Sequence, residues 1–279
     1  MKLTSNRYGK QKVRVMKILR EGNVHTIKEL TIGVVLQGDF ETSYTAGDNS
    51  KVVATDTMKN TVQALAKDNL GSDTERFLAF LGHHFVSKYP QVESATVSST
   101  ERVWKRMNID GAPHPHSFSA NDSAVPFSKV TVTKEGQTAI SGIDNLLLMK
   151  STESSFIDYP RCEFTTLPET TDRVLATSLK STWNWSVEPD DYTAANAAII
   201  AAMLIPFANN HSPSAQTTLF QMGTAALEAC PEIGEIHIAM PNKHYIHIPL
   251  DKFGISNNNE VLLPTDEPHG QIEATVARD

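Results

Sequence analysis

The chain has only two cysteines among 279 residues, Cys162 and Cys230, and neither has a partner at metal-finger spacing. Free thiols in a reducing compartment fit this better than a disulfide framework. A Gly-rich phosphate loop is missing, and with it the nucleotide-binding fingerprints. Basic residues are outnumbered 25 to 32, for a formal charge of −7. That surface favours solubility and argues against a nucleic-acid backbone as the main partner. The longest apolar run, residues 197–205, is half of the roughly 20 residues that a membrane span needs. The opening Met1-Lys2-Leu3-Thr4-Ser5-Asn6-Arg7 runs into polar residues rather than a signal peptide. The closing Ala277-Arg278-Asp279 is not a peroxisomal address. The expectation is a cytoplasmic, bacterial enzyme with no membrane and no nucleic-acid partner.

What is present is a repeated order of elements. Residues 12–19 read as a strand, Glu21-Gly22-Asn23 as a turn, and Leu30, Ile32, Val34 and Leu36 alternate with less apolar residues in a second strand. Met58, Val62, Leu65 and Ala66 keep helical spacing, with Thr55 or Asp56 placed as cap. Ser72-Asp73-Thr74-Glu75 has the form of a capping box before the stripe Phe77, Leu81, His84, Phe85. Strands are expected at 94–104 and 128–137, with a Pro-rich loop at 111–126 between them. The second half reads as strands at 145–150 and 173–185, then helices at 191–207 and 214–230. Ser212-Pro213 is read there as cap and first helical residue. A strand pair broken at Pro241 follows at 235–250. Strand-strand-helix-helix-strand-strand therefore occurs twice, with a boundary near Gly142. Residues 1–141 and 142–279 become two modules of an α+β fold, antiparallel sheets with helices on one face.

Few residues stand out chemically. His244 shares parity with Ile246, Ile248 and Asn242; it reads as a core histidine or as a general base. Lys10 opens the first strand and matters only if buried, where a neutral amine becomes available. Thr55 and Asp56 cap a helix or hold a ligand at its N-terminus. Arg173 offers a planar fork, Gln216 an amide in the first turn of a helix, and Phe156 a ring to stack on a flat ligand. Each is scaffold as readily as site. His114-Pro115-His116 and His83-His84 lack the cysteine or carboxylates that would complete a metal set, so no metal is expected.

Five segments carry more together than alone: Asn6-Arg7-Tyr8-Gly9-Lys10; Val53-Ala54-Thr55-Asp56-Thr57-Met58-Lys59-Asn60-Thr61; Thr165-Thr166-Leu167-Pro168-Glu169-Thr170-Thr171-Asp172-Arg173; Ser212-Pro213-Ser214-Ala215-Gln216; and Pro241-Asn242-Lys243-His244-Tyr245. In this order and over nearly the whole chain they resemble urate oxidase (uricase) of bacterial type, a tunnelling-fold (T-fold) family. The resemblance implies two ββααββ modules per chain and a tunnel-shaped homotetramer with active sites at subunit interfaces. It implies oxidation of urate by O2 and water to 5-hydroxyisourate and hydrogen peroxide, with no cofactor. Lys10 and Thr55 from one subunit and His244 from its neighbour would relay protons. Thr55 and Asn242 would hold O2 or water above the ring. Arg173 and Gln216 would grip opposite purine edges, Phe156 would stack, and Leu167, Ala215 and Ile272 would line the pocket. Asp56 would contribute its backbone N–H. Position 215 departs mildly, with alanine where some relatives have valine. Alternatives are a pterin- or GTP-processing protein of the same fold, a purine binder without oxidase activity, and a structural tunnel protein.

Overall fold

A computed structural model describes residues 1–121 and 123–278. It divides into two compact units, Met1–Gly142 with Asn184–Ala194, and Ile143–Trp183 with Ala195–Asp279.

In the first unit, β1 (Tyr8–Glu21) and β2 (Val24–Gly38) form an antiparallel hairpin turning at Gly22. The short α1 (Glu41–Thr45), then α2 (Thr55–Asn69) and α3 (Thr74–Lys88), precede β3 (Val92–Ile109), β4 (Ala112–Asn121) and β5 (Val125–Thr133). β3 pairs antiparallel with β2, β5 and β4. Alternation on β2 sends Leu30, Ile32, Val34 and Leu36 to one face, where all four are fully buried. Met58 and Val62 of α2 and Phe77, Leu81 and Phe85 of α3 join the same core.

The second unit holds most of β6 (Gln137–Lys150), then β7 (Leu175–Trp185), α4 (Tyr192–Asn209), α5 (Ala215–Ala229), β8 (Ile233–His247) and β9 (Leu262–Ala277). Strand order is β6-β7-β8-β9, and β8 and β9 run antiparallel. Mixed α+β architecture with the order ββααββ in each half agrees with the sequence reading; the first half adds β4. By length and composition α4 could cross a bilayer. Its Ile199 and Met203 are nevertheless fully buried within the protein.

Five local expectations are corrected. The Pro-rich stretch 111–126 is mostly strand. Asp110 and Gly111, with φ of 52° and 81°, make a tight hairpin turn that the Asp-Gly pair signals. Pro113 and Pro115 are tolerated because β4 pairs only with β3, leaving an edge that needs no donors. β8 continues through Pro241 instead of breaking there. Ser72-Asp73-Thr74-Glu75 is not a capping box: Asp73 accepts from the Thr193 N–H at 3.2 Å, while the buried Glu75 accepts from Ser128 at 2.8 Å and from Ser141. Neither Thr55 nor Asp56 caps α2, which begins after Ala54; Asp56 instead binds Lys59 and Asn60. Ser214, not Ser212, caps α5 by accepting the Thr217 N–H at 3.1 Å, and Pro213 lies before the helix.

The two units share a packing device. A Cβ on Gly82 of α3 would lie 2.5 Å from Val132 Cγ2, and one on Gly223 of α5 would lie 2.6 Å from Val276 Cγ2. α3 and α5 thus each carry a glycine where they meet a strand valine. Gly223→Ala gains about 1 kcal/mol of helix propensity but overpacks by about 1–3 kcal/mol, so stability falls. In urea titrations the variant unfolds at lower denaturant, and adding Val276→Ala restores much of the loss. A Gly223→Ala protein as stable as the parent would refute this packing account.

Candidate active site

Lys10, Thr55 and Asp56 belong to the first unit. β1 carries Lys10 opposite Val34, at a register shift between Lys10 and Val13 where Lys12 has a φ of 59°. The bulge frees the strand end from strict pairing, and Lys10 is half-buried. Thr55, also half-buried, begins α2, and Asp56 beside it is exposed. The Asp56 carboxyl is held below the usual carboxylate range, first by the Lys59 ammonium and also by the positive charge of Lys10.

Tyr8 ties the two segments together, and sequence reasoning missed it. Its hydroxyl accepts the Val53 N–H at 2.7 Å and donates to the Val53 carbonyl at 3.1 Å. The ring meets Phe40 edge-on at 4.8 Å. Tyr8 thus stands two residues before Lys10 and grips the backbone two residues before Thr55. Burial pushes its phenol pKa up, in keeping with a neutral hydroxyl that both donates and accepts.

The second unit carries a different set. Phe156 and Thr170 exchange backbone hydrogen bonds at 2.8 and 3.1 Å, and the Arg173 N–H reaches the Ser154 carbonyl at 2.8 Å. These bonds bring Phe156 and Arg173 together, with the guanidinium carbon 5.2 Å from the ring centroid. Tyr159 stacks on the same ring at 4.8 Å and 12°. Burial pushes the Arg173 pKa down. Its Nε is buried without a hydrogen-bond partner. An unsatisfied buried donor costs about 1–3 kcal/mol, more when charged.

Ala215 and Gln216 open α5, Ala215 buried and the Gln216 amide exposed. Leu167 has an exposed side chain, and its carbonyl accepts from the Tyr159 hydroxyl at 2.6 Å. On β8 and β9, Asn242 faces Gly270. A Cβ built at that glycine would lie 3.6 Å from Ile272 Cδ1 and 3.8 Å from Asn242 Cβ, so the two side chains flank one point. His244 lies beyond a register shift, opposite Thr265, and is half-buried rather than a core residue. Its parity neighbour Ile246 is exposed.

Among the described residues no group of three or more His, Cys, Asp or Glu side chains is placed to hold a metal ion. His83 is engaged by Gln137 at 2.9 Å, and His114 meets His116 edge-on at 4.6 Å on β4 rather than in a loop.

In the second unit an aromatic ring and the planar Arg173 fork lie side by side, groups suited to a flat ligand edged with acceptors. The uricase family model matches residues 6–131 and 139–273. The chain belongs to the uricase family. Uricase of Arthrobacter globiformis is 42% identical over 99% of this chain and 90% of its own length. That of Aspergillus flavus is 39% identical over 98% and 95%. The crystal structure of uricase from Arthrobacter globiformis superposes with a TM-score of 0.95 at 41% identity, covering 100% of this chain and 96% of that one. Uricase membership fits the T-fold expectation and the α+β order of both units.

If Tyr8 pins the start of α2, Tyr8→Phe exposes the Val53 amide. Its hydrogen exchange should speed up by about five- to tenfold, the equivalent of one lost hydrogen bond of about 1 kcal/mol. Unchanged exchange at Val53 would show that Tyr8 does not hold this segment.

Proposed function

We propose that this chain is a urate oxidase whose two units supply complementary halves of each active site. The observation that carries the reading is the half-buried Arg173 guanidinium set beside the Phe156 ring, a planar donor fork next to an aromatic face. A purine with carbonyl oxygens and ring nitrogens along its edge supplies acceptors, and its flat face matches the stack. Gln216 takes the opposite edge, and Leu167, Ala215 and Ile272 line the pocket. Asp56 contributes its backbone N–H.

Lys10, Thr55 and His244 form the proton relay. The lysine takes a proton from urate through the threonine hydroxyl, which helps to form the urate dianion. Thr55 and Asn242 hold O2 or water above the ring. The doubly deprotonated purine is electron-rich enough to reduce O2 directly, so no cofactor is required. Urate, O2 and water give 5-hydroxyisourate and hydrogen peroxide. The protein contributes positioning, proton transfer and preorganised polarity.

We assign residues 1–141 and 142–279 to two T-fold modules, and the assembly to a homotetramer enclosing a tunnel. Lys10 and Thr55 of one subunit face His244 of another. The enzyme is cytoplasmic.

The test is loss of urate absorbance in air by metal-stripped protein, with a parallel hydrogen peroxide assay. Urate should disappear and peroxide accumulate, undiminished by chelator. No loss of urate, or loss abolished by chelator, would overturn the cofactor-free reading. Lys10→Met and Thr55→Ala should each cut turnover by about 100-fold, the typical worth of a general acid–base group. Both should still bind xanthine. Parental turnover in either variant would remove that residue from the relay.

A further inference from the structure

A serine, a histidine and a glutamate stand in series in the second unit, next to the ring stack. Ser155 Oγ lies 3.0 Å from His211 Nε2, and His211 Nδ1 lies 3.2 Å from Glu153 Oε2. A carboxylate can only accept, so Nδ1 carries a proton. In the neutral ring Nε2 then accepts from the Ser155 hydroxyl.

The order matches that of a hydrolase triad, but the surroundings do not allow hydrolysis. Ser155 is only 6% exposed. The backbone donors beside it are used: the Ser155 N–H reaches the Ser212 carbonyl at 2.8 Å and the Phe156 N–H reaches the Thr170 carbonyl at 2.8 Å. An oxyanion would find neither donor free.

The same bonds show what the series does. Segment 153–156 is laced to segment 211–214: Ser212 donates its N–H to the Glu153 carbonyl at 2.8 Å, and Ser154 bridges Ser212. Ser212 Oγ meets Thr218 Oγ1 at 2.6 Å and donates to the Ser214 carbonyl at 3.1 Å. Ser214 in turn caps α5, whose second residue is Gln216. On the other side, the Ser154 carbonyl holds the Arg173 N–H. Ser155 precedes Phe156 directly. The imidazole of His211 therefore spans the segment that bears the stacking ring and the segment that leads to the amide.

We propose that His211, oriented by Glu153 and bonded to Ser155, is a positioning residue that sets Phe156, Arg173 and Gln216 for gripping the purine. The inference rests on the urate-oxidase reading of that site. His211 lies outside the proton relay, so its loss acts on substrate binding rather than on the chemical step.

The test is steady-state urate oxidation by His211→Ala, Ser155→Ala and the double variant, with xanthine affinity measured in parallel. Each single variant should raise KM and weaken xanthine binding by about five- to tenfold, the worth of one hydrogen bond of about 1 kcal/mol. Values of kcat should stay within about twofold. The double variant should be no worse than either single one, because both remove the same link. His211→Gln, which keeps a hydrogen-bonding group toward Ser155, should recover most of the affinity. The His211 side chain is half-exposed, so its removal opens no core cavity. Unchanged KM and xanthine affinity in both single variants would overturn the proposal, as would additive losses in the double variant. A parent enzyme that does not oxidise urate would instead sink the reading on which it rests, and xanthine affinity would still test the positioning role.

Discussion

Arg173 is half-buried against the Phe156 ring, its guanidinium carbon 5.2 Å from the ring centroid and its Nε without a hydrogen-bond partner. Leaving a charged donor unsatisfied works against folding. The arrangement persists because the surrounding backbone fixes it: the Arg173 N–H is bonded to Ser154, and Phe156 is locked to Thr170. Asp172 adds two further ties, accepting from the Thr152 hydroxyl at 2.9 Å and the Glu153 N–H at 3.1 Å.

The first unit follows a different logic. Lys10 sits where a strand loses register, and Thr55 where a helix begins without a side-chain cap. Both features are locally weak, and Tyr8 compensates by gripping Val53 from the strand. The uncapped start of α2 leaves backbone N–H groups for an anion.

Much of this was legible in the sequence, and the failures are informative. Period-2 alternation located β2 and period-3.6 stripes located α2 and α3, because one-sided burial leaves a direct mark on the chain. The repeated order of elements survived without any repeat of residues. The Pro-rich strand β4 escaped because an edge strand needs few donors, so its prolines resemble loop residues. The capping motif around Glu75 misled because tertiary partners, Ser128 and Ser141, outcompete the local backbone. At the site, Arg173 was legible through a family motif and Phe156 through the resemblance of the chain as a whole. Their juxtaposition was not, since it depends on backbone bonds between segments far apart in sequence. Tyr8 and His211 left no local signal at all, for each acts on residues that the sequence places elsewhere.

The central claim is that Lys10 and Arg173 belong to complementary halves contributed by different copies of the chain. Co-expression of Lys10→Met with Arg173→Ala tests it, with urate oxidation measured on the mixed oligomers. Each variant alone should be nearly inactive. Equal mixing at a symmetric interface pairs an intact first half with an intact second half in about a quarter of the sites. Recovery toward about a quarter of parental activity is therefore the expected result. Mixed oligomers no more active than either variant alone would contradict the account and place both halves within a single chain.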